Sequence, residues 1–174
     1  GPKSYTLNVQ DASIDLSSKN FGSADTALLA AWMQRPEVSA AVKKVTLSHN
    51  FIFGSKNQDE YSTEQVHDID ADQSGWSALC DALPGSPVEE LDVSDIGMGV
   101  KGVTSLAKAT SSMAVLTSLT VDSTGNMRDQ KAYTLTAGEA NINLSQKNLG
   151  PADVTLLTVW MQRPDHTSHD QVSH

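Results

Sequence analysis

Two short stretches of this chain hold residue types that do chemistry. Gly97-Met98-Gly99-Val100-Lys101-Gly102 spells G-x-G-x-x-G, and Asp122 follows Gly97 by 25 positions. Glycines so spaced let a backbone approach a pyrophosphate at a helix N-terminus, and a downstream acid holds a ribose. That chemistry is a nucleotide-binding enzyme with Gly97, Gly99, Gly102 and Asp122 as its site. The strand expected before the turn, Leu91-Asp92-Val93-Ser94-Asp95, alternates apolar and polar residues. A parallel strand buried on both faces is almost wholly apolar instead. The glycines therefore read first as a strand-to-helix turn, with the nucleotide-binding enzyme as an alternative. Asp68, Asp70 and Asp72 are spaced like the first ligands of a calcium loop. Such a loop needs Gly sixth and a bidentate Glu twelfth, where this chain has Gln73 and Leu79. An acidic loop opposing a helix dipole is the first reading. A calcium-dependent binding module with these three aspartates as metal ligands is the second alternative.

Other reactive residues carry less. Cys80 stands between Leu79 and Ala82 and reads as a buried thiol. His166, His169 and His174 lie in a terminal stretch that departs from the rest of the pattern, read as a flexible tail. Asn143-Leu144-Ser145 is a formal glycosylation sequon on an expected strand. No G-x-S-x-G, P-loop or H-E-x-x-H is present. The chain is expected to be non-catalytic, with no cofactor.

The elements that must position these residues repeat. Residues 3–36 recur at 131–164 with an offset of 128, and 20 of 34 positions are identical. A long internal copy points to a modular array. Inside it runs a shorter theme of alternating triplets: Ile14-Asp15-Leu16, Val45-Thr46-Leu47, Leu91-Asp92-Val93, Leu119-Thr120-Val121 and Ile142-Asn143-Leu144. Val42, Val88 and Leu116 each precede a triplet by three positions. Alternation of this kind predicts short strands with one face buried. Between them, Ser23–Met33, Ser74–Leu83, Val100–Met113 and Pro151–Met161 have helical apolar spacing. Arg35-Pro36 and Pro84-Gly85 stop the first two.

The triplets and their spacing resemble the leucine-rich repeat family, of the ribonuclease-inhibitor-like type. Val42-x-x-Val45-x-Leu47-x-x-Asn50 is the fullest instance, and Leu16 to Leu47 and Val93 to Val121 span 31 and 28 residues. The resemblance implies an α/β solenoid, a curved parallel sheet with outer helices. It also implies that Asn50 satisfies backbone groups inside the coil. Two spacings make the array irregular. Leu47 to Val93 is 46 residues, with a polar insertion at 54–73, and Val121 to Leu144 is only 23. A hairpin around Thr136-Ala137-Gly138-Glu139 fits the short interval. The same hairpin is expected at Lys3–Leu16, so hairpins would start each long unit. The organisation is then a tag-like remnant at 1–2, a solenoid at 3–164 and a tail at 165–174. The long unit covers 3–130 and a second begins at 131–164.

The formal charge of −9 argues against nucleic acid, whose binding needs basic patches. No apolar run approaches a membrane span. A cytoplasmic setting is favoured, and a basic protein suits the charge. The outward strand residues would form a concave partner-binding face containing Asp15, Lys44, Thr46, Glu90, Asp92, Thr120, Asp122 and Asn143. The 54–73 loop, with Phe53 and Tyr61 at its margins, is the other contact candidate. The sequence thus predicts a protein-interaction or scaffold module. Uncapped solenoid ends would permit a homo-oligomer.

Overall fold

A computed structural model describes residues 3–38, 41–54 and 69–163. The molecule is α/β, with a five-stranded, mostly parallel sheet and four helices among the described residues. The strands β1 (Ser13–Asp15), β2 (Lys44–Thr46), β3 (Glu90–Asp92), β4 (Ser118–Asp122) and β5 (Ala132–Thr136) lie in chain order. β1 to β4 pair in parallel, whereas β5 runs antiparallel to β4. Helices α1 (Ser23–Met33), α2 (Ser74–Ala82), α3 (Val100–Thr110) and α4 (Pro151–Gln162) each pack on the next.

Period-two alternation explains the strands. Ile14, Val45, Leu91 and Leu119 occupy one row of the register and all are buried. The residues at their flanks that the sequence pairs with them, Val42, Leu47, Val88, Val93, Leu116 and Val121, are buried too. The chain then leaves each of the first three strands through a left-handed residue. Ser18, His49 and Asp95 sit four positions after the inward residue, with φ of 55°, 61° and 52°.

The four helices start at the expected residues, Ser23, Ser74, Val100 and Pro151. Gly22 is the N-cap of α1, and its N–H donates to the Asp25 carboxylate at 3.0 Å. The Ser23 hydroxyl instead accepts the Gly75 N–H at 2.9 Å, joining α1 to α2. α2 passes into a single 3-10 turn at Leu83–Gly85. α3 ends three residues before the expected Met113. The Thr110 and Ser111 hydroxyls donate back to the carbonyls of Ala107 and Lys108 there, which competes with further helix.

The hairpins do not form as expected. A turn is present at Ala137-Gly138, with Gly138 at φ +83°, but Ile142-Asn143-Leu144 is not a strand. Residues 132–136 pair back onto β4 instead, so the fifth place in the sheet is filled before Asn143 is reached. The 23-residue interval leaves no room for an intervening helix and a parallel strand. At the start of the chain, only 13–15 of Lys3–Leu16 is strand.

Asn50 lies in the interior with no exposed surface. Its Oδ1 accepts the N–H groups of Lys19 and Phe21 at 3.0 and 2.8 Å, and its Nδ2 donates to the carbonyls of Leu16 and Leu47. With a longer contact from Nδ2 to the Ser48 carbonyl at 3.3 Å, one carboxamide serves five backbone groups across two successive turns. Asn50→Ala leaves them buried and unmet, at a cost on the order of 4 kcal/mol. Urea denaturation measures this as a fall in midpoint at unchanged slope. A loss below about 1 kcal/mol would show that water replaces the carboxamide.

Candidate functional site

The outward residues of the sheet align in two rows. Ser13, Lys44, Glu90, Ser118 and Thr136 form the first; Asp15, Thr46, Asp92, Thr120 and Thr134 form the second. Six residues assigned to this face, Asp15, Lys44, Thr46, Glu90, Asp92 and Thr120, are therefore brought together. Lys44 to Thr46, Glu90 to Asp92, Ser118 and Thr120 line one shallow groove. Lys44 lies 3.9 Å from Glu90, and both side chains are about half exposed, a geometry worth little in water. The acids of the second row are held by a recurring turn. The Ser17 hydroxyl and N–H donate to Asp15 at 2.6 and 2.9 Å, and Ser94 serves Asp92 in the same way. The Ser17 hydroxyl, foremost, keeps the Asp15 carboxyl below its usual range.

Two assignments to the face change. Asn143 lies outside the sheet, where its Oδ1 accepts the Ser145 N–H at 3.0 Å. Asp122 is 9% exposed and accepts the Asp95 N–H at 2.7 Å. Asp95 in turn meets His49 Nδ1 at 2.7 Å. A chain of three groups thus runs from the interior to the rim of the face. His49, Asp95, Thr134 and Thr136 were missed by sequence reasoning. The left-handed turn that presents His49 and Asp95 has no fixed residue type, and β5 was not placed beside β4. Thr134 meets Thr120, hydroxyl to hydroxyl, at 2.8 Å.

The glycine turn is occupied by the protein itself. The N–H groups of Gly99, Lys101 and Gly102 donate to the Asp70 carboxylate at 2.8, 2.8 and 3.0 Å. Asp70 stands where a phosphate would, at the N-terminus of α3, and meets the same dipole. Gly97 has φ +82° and turns the chain. Gly102 is tightly enclosed, since a Cβ there would strike Met98 and come within 2.9 Å of Phe53. The turn is thus a helix start closed by a carboxylate, and Asp122, spent on Asp95, is no ribose ligand in this arrangement.

The aspartate trio is divided in the same way. Asp72 accepts the Ser74 N–H and hydroxyl at the start of α2, and that hydroxyl foremost keeps its carboxyl below the usual range. Asp70 and Asp72 therefore close two different helices, while Asp68 lies outside the described residues. Among the described residues no group of three or more His, Cys, Asp or Glu is arranged to hold a metal ion. Phe53 is a core residue, with no exposed surface and its ring 5.5 Å from that of Trp76. It is not a loop contact; Tyr61 and the terminal histidines fall outside the described residues. Cys80 is buried, and burial foremost pushes its thiol up to about 12, the opposite of a nucleophile.

Two outcomes follow. Asp70→Ala removes the acceptor for three N–H groups and costs about 2 kcal/mol. A nicotinamide dinucleotide leaves the melting temperature of the unmodified chain unchanged, whereas a rise would mean the ligand displaces Asp70. Burial, foremost, raises the Asp122 carboxyl from 3.8 to about 6, with Asp95 and Asp92 adding to it and the Asp95 N–H and His49 opposing. The folded state therefore holds this proton more tightly than the unfolded chain. The contribution is fully present below pH 4 and is lost as pH rises through about 6. Asp122→Asn keeps an acceptor for Asp95 without the charge. It should stabilise the protein at pH 7 by on the order of 2 kcal/mol and by much less at pH 4. Thermal melts across that range check it, and an equal gain at both ends would refute a buried charge.

No family model and no curated protein matches the chain, so the function is read from this geometry.

Proposed function

We propose that this protein is a non-catalytic interaction module, a leucine-rich-repeat-like solenoid that receives a basic protein segment on the outward face of its sheet. The observation that carries the reading is the register. Parallel pairing at equal steps sets Asp15, Asp92 and their neighbours in straight rows, one strand spacing apart. An extended segment laid across such rows meets a polar group at each strand. The acids of the rows and rim, Asp15, Glu90, Asp92 and Asp95, outnumber Lys44, and the chain as a whole carries −9. The helices are held away from this face by the alternation that buries Val45 and Leu91. The sheet face is favoured over the 54–73 loop because Phe53, one of its two named contacts, belongs to the core.

Among the described residues the face has no Trp, Tyr or Arg to act as an anchor. Binding there rests on charge and shape, so it is fast, modest in affinity and weakened by salt. Oligolysine is a suitable probe. Replacing Asp15, Glu90 and Asp92 together by Asn, Gln and Asn preserves the hydrogen-bond acceptors and removes the charges. Fluorescence titration should show affinity falling about tenfold or more, with a shallower salt dependence. Asp81→Asn, on the exposed side of α2, should leave binding intact. Equal losses from both variants would assign the effect to net charge and remove the face as the site.

A further inference from the structure

The two copies of the long repeat make the same internal contacts, and comparing them shows what one side of the first copy, uncovered by any described residue, is built to meet. In both copies a tyrosine hydroxyl donates to the aspartate of the following helix: Tyr5 to Asp25 at 2.8 Å, and Tyr133 to Asp153 at 2.7 Å. In both, the N-cap glycine donates to that aspartate's other oxygen, from Gly22 at 3.0 Å and from Gly150 at 2.8 Å. The copies then diverge. Asp153 also accepts the N–H and hydroxyl of Thr124, each at 2.7 Å, from the turn after β4. Leu156 has no exposed surface, while its counterpart Leu28 is 57% exposed. Arg163 lies buried over Trp160 and donates to the carbonyls of Met113 and Leu116. Its counterpart Arg35 lies exposed beside Glu37. Residues 132–136 pair with β4, but residues 4–8 form no strand.

The glycines give a second, independent observation. A Cβ on Gly150 would come within 2.8 Å of the Thr124 carbonyl and 3.0 Å of Gly125. Among the described residues a Cβ on Gly22 would meet only Asp25, at 3.9 Å, and Gly22 has φ −116°. Nothing described around Gly22 requires glycine. The requirement appears only when a turn like that at Ser123–Gly125 is laid against it.

We propose that the side of residues 3–35 bearing Tyr5, Asp25, Leu28 and Arg35 is a docking surface for a further 128-residue unit of the same repeat, joined ahead of Lys3. That unit presents its equivalent of α3, β4 and Thr124. Residues 4–8 then become a strand antiparallel to the incoming β4, Asp25 receives a threonine N–H and hydroxyl, and Leu28 is enclosed. A separate second copy of this chain is not the occupant, because its own α3–β4 side is already taken by 131–163. Displacing that segment would uncover as much apolar surface as it covered. The surface is distinct from the polar face of the sheet, so this inference does not depend on the proposed binding to basic segments.

The test is a tandem chain in which residues 3–130 precede the full chain at Lys3. Its inner Leu28→Asp should lower the melting temperature by several degrees, and Leu156→Asp should do the same in the single chain. Leu28→Asp in the single chain should leave melting unchanged. An inner Leu28→Asp that is equally silent in the tandem would overturn the proposal. Hydrogen exchange gives a readout without substitution. The inner amides of residues 4–8 should slow to the rate of 132–136, and exchange as fast as in the single chain would count against docking. Light scattering separates the remaining occupant. Association of the single chain that Leu28→Asp abolishes would seat a free second copy on the surface and defeat the tandem arrangement.

Discussion

The turn after each strand points backbone N–H groups into the molecule, and a buried N–H without an acceptor is costly. This constraint organises the junctions. Between the first two turns the acceptor is Asn50, which takes the N–H groups of Lys19 and Phe21. At the start of α3 it is Asp70, with Gly99, Lys101 and Gly102. Asp122 takes Asp95, and Asp153 takes Thr124 and Gly150. Apart from Gly150, which lies three residues before Asp153, each donor is 27 to 32 residues along the chain from the oxygen that fills it. The strands contribute only three to five residues apiece, too few for their ladders alone to define the stacking. The apolar interior supplies most of the stabilisation, and the oxygens fix how one turn sits on the next.

That division explains which parts of the fold were legible. Apolar spacing is a local signal, so α1 was placed at Ser23–Met33 and the first four triplets were placed on strands. The acceptors were legible only where a residue type advertises its role, as Asn50 does. Asp70 was read as an acid opposing a helix dipole, but which helix it closes was not legible, because spacing says nothing of what lies opposite, 29 to 32 residues away. Phe53 was assigned to a loop margin because polar sequence follows it, yet its ring packs on Trp76. The fifth strand failed for a topological reason. Ile142-Asn143-Leu144 has the same alternation as Ile14-Asp15-Leu16, but the place beside β4 had gone to residues met earlier along the chain.

The same constraint bears on the candidate site. Asp122, the most buried acid near the face, is committed to the Asp95 N–H and stands beside Asp92 and Asp95. Charge is concentrated there despite its cost to folding, because a carboxylate is the acceptor that closes the junction. Asp15 and Asp92 differ. Their partners are the serines two residues on, and their remaining lone pairs face solvent. The acids that are structural and the acids that can meet a partner are thus separated by where their hydrogen bonds go, which composition alone does not reveal.

Duplicated sequence provides a control rarely present within one chain. Leu28 and Leu156 share a residue type and a helix position, and one is 57% exposed while the other is fully enclosed. Residue type and helix position do not explain the difference, since both are shared. It comes from the neighbour: β4 and α3 stand against the Leu156 side of one copy, and nothing described stands against the Leu28 side of the other. Burial in this molecule is therefore a property of junctions. A residue such as Gly22, with no local reason to be glycine, becomes intelligible only through the junction that its counterpart Gly150 completes.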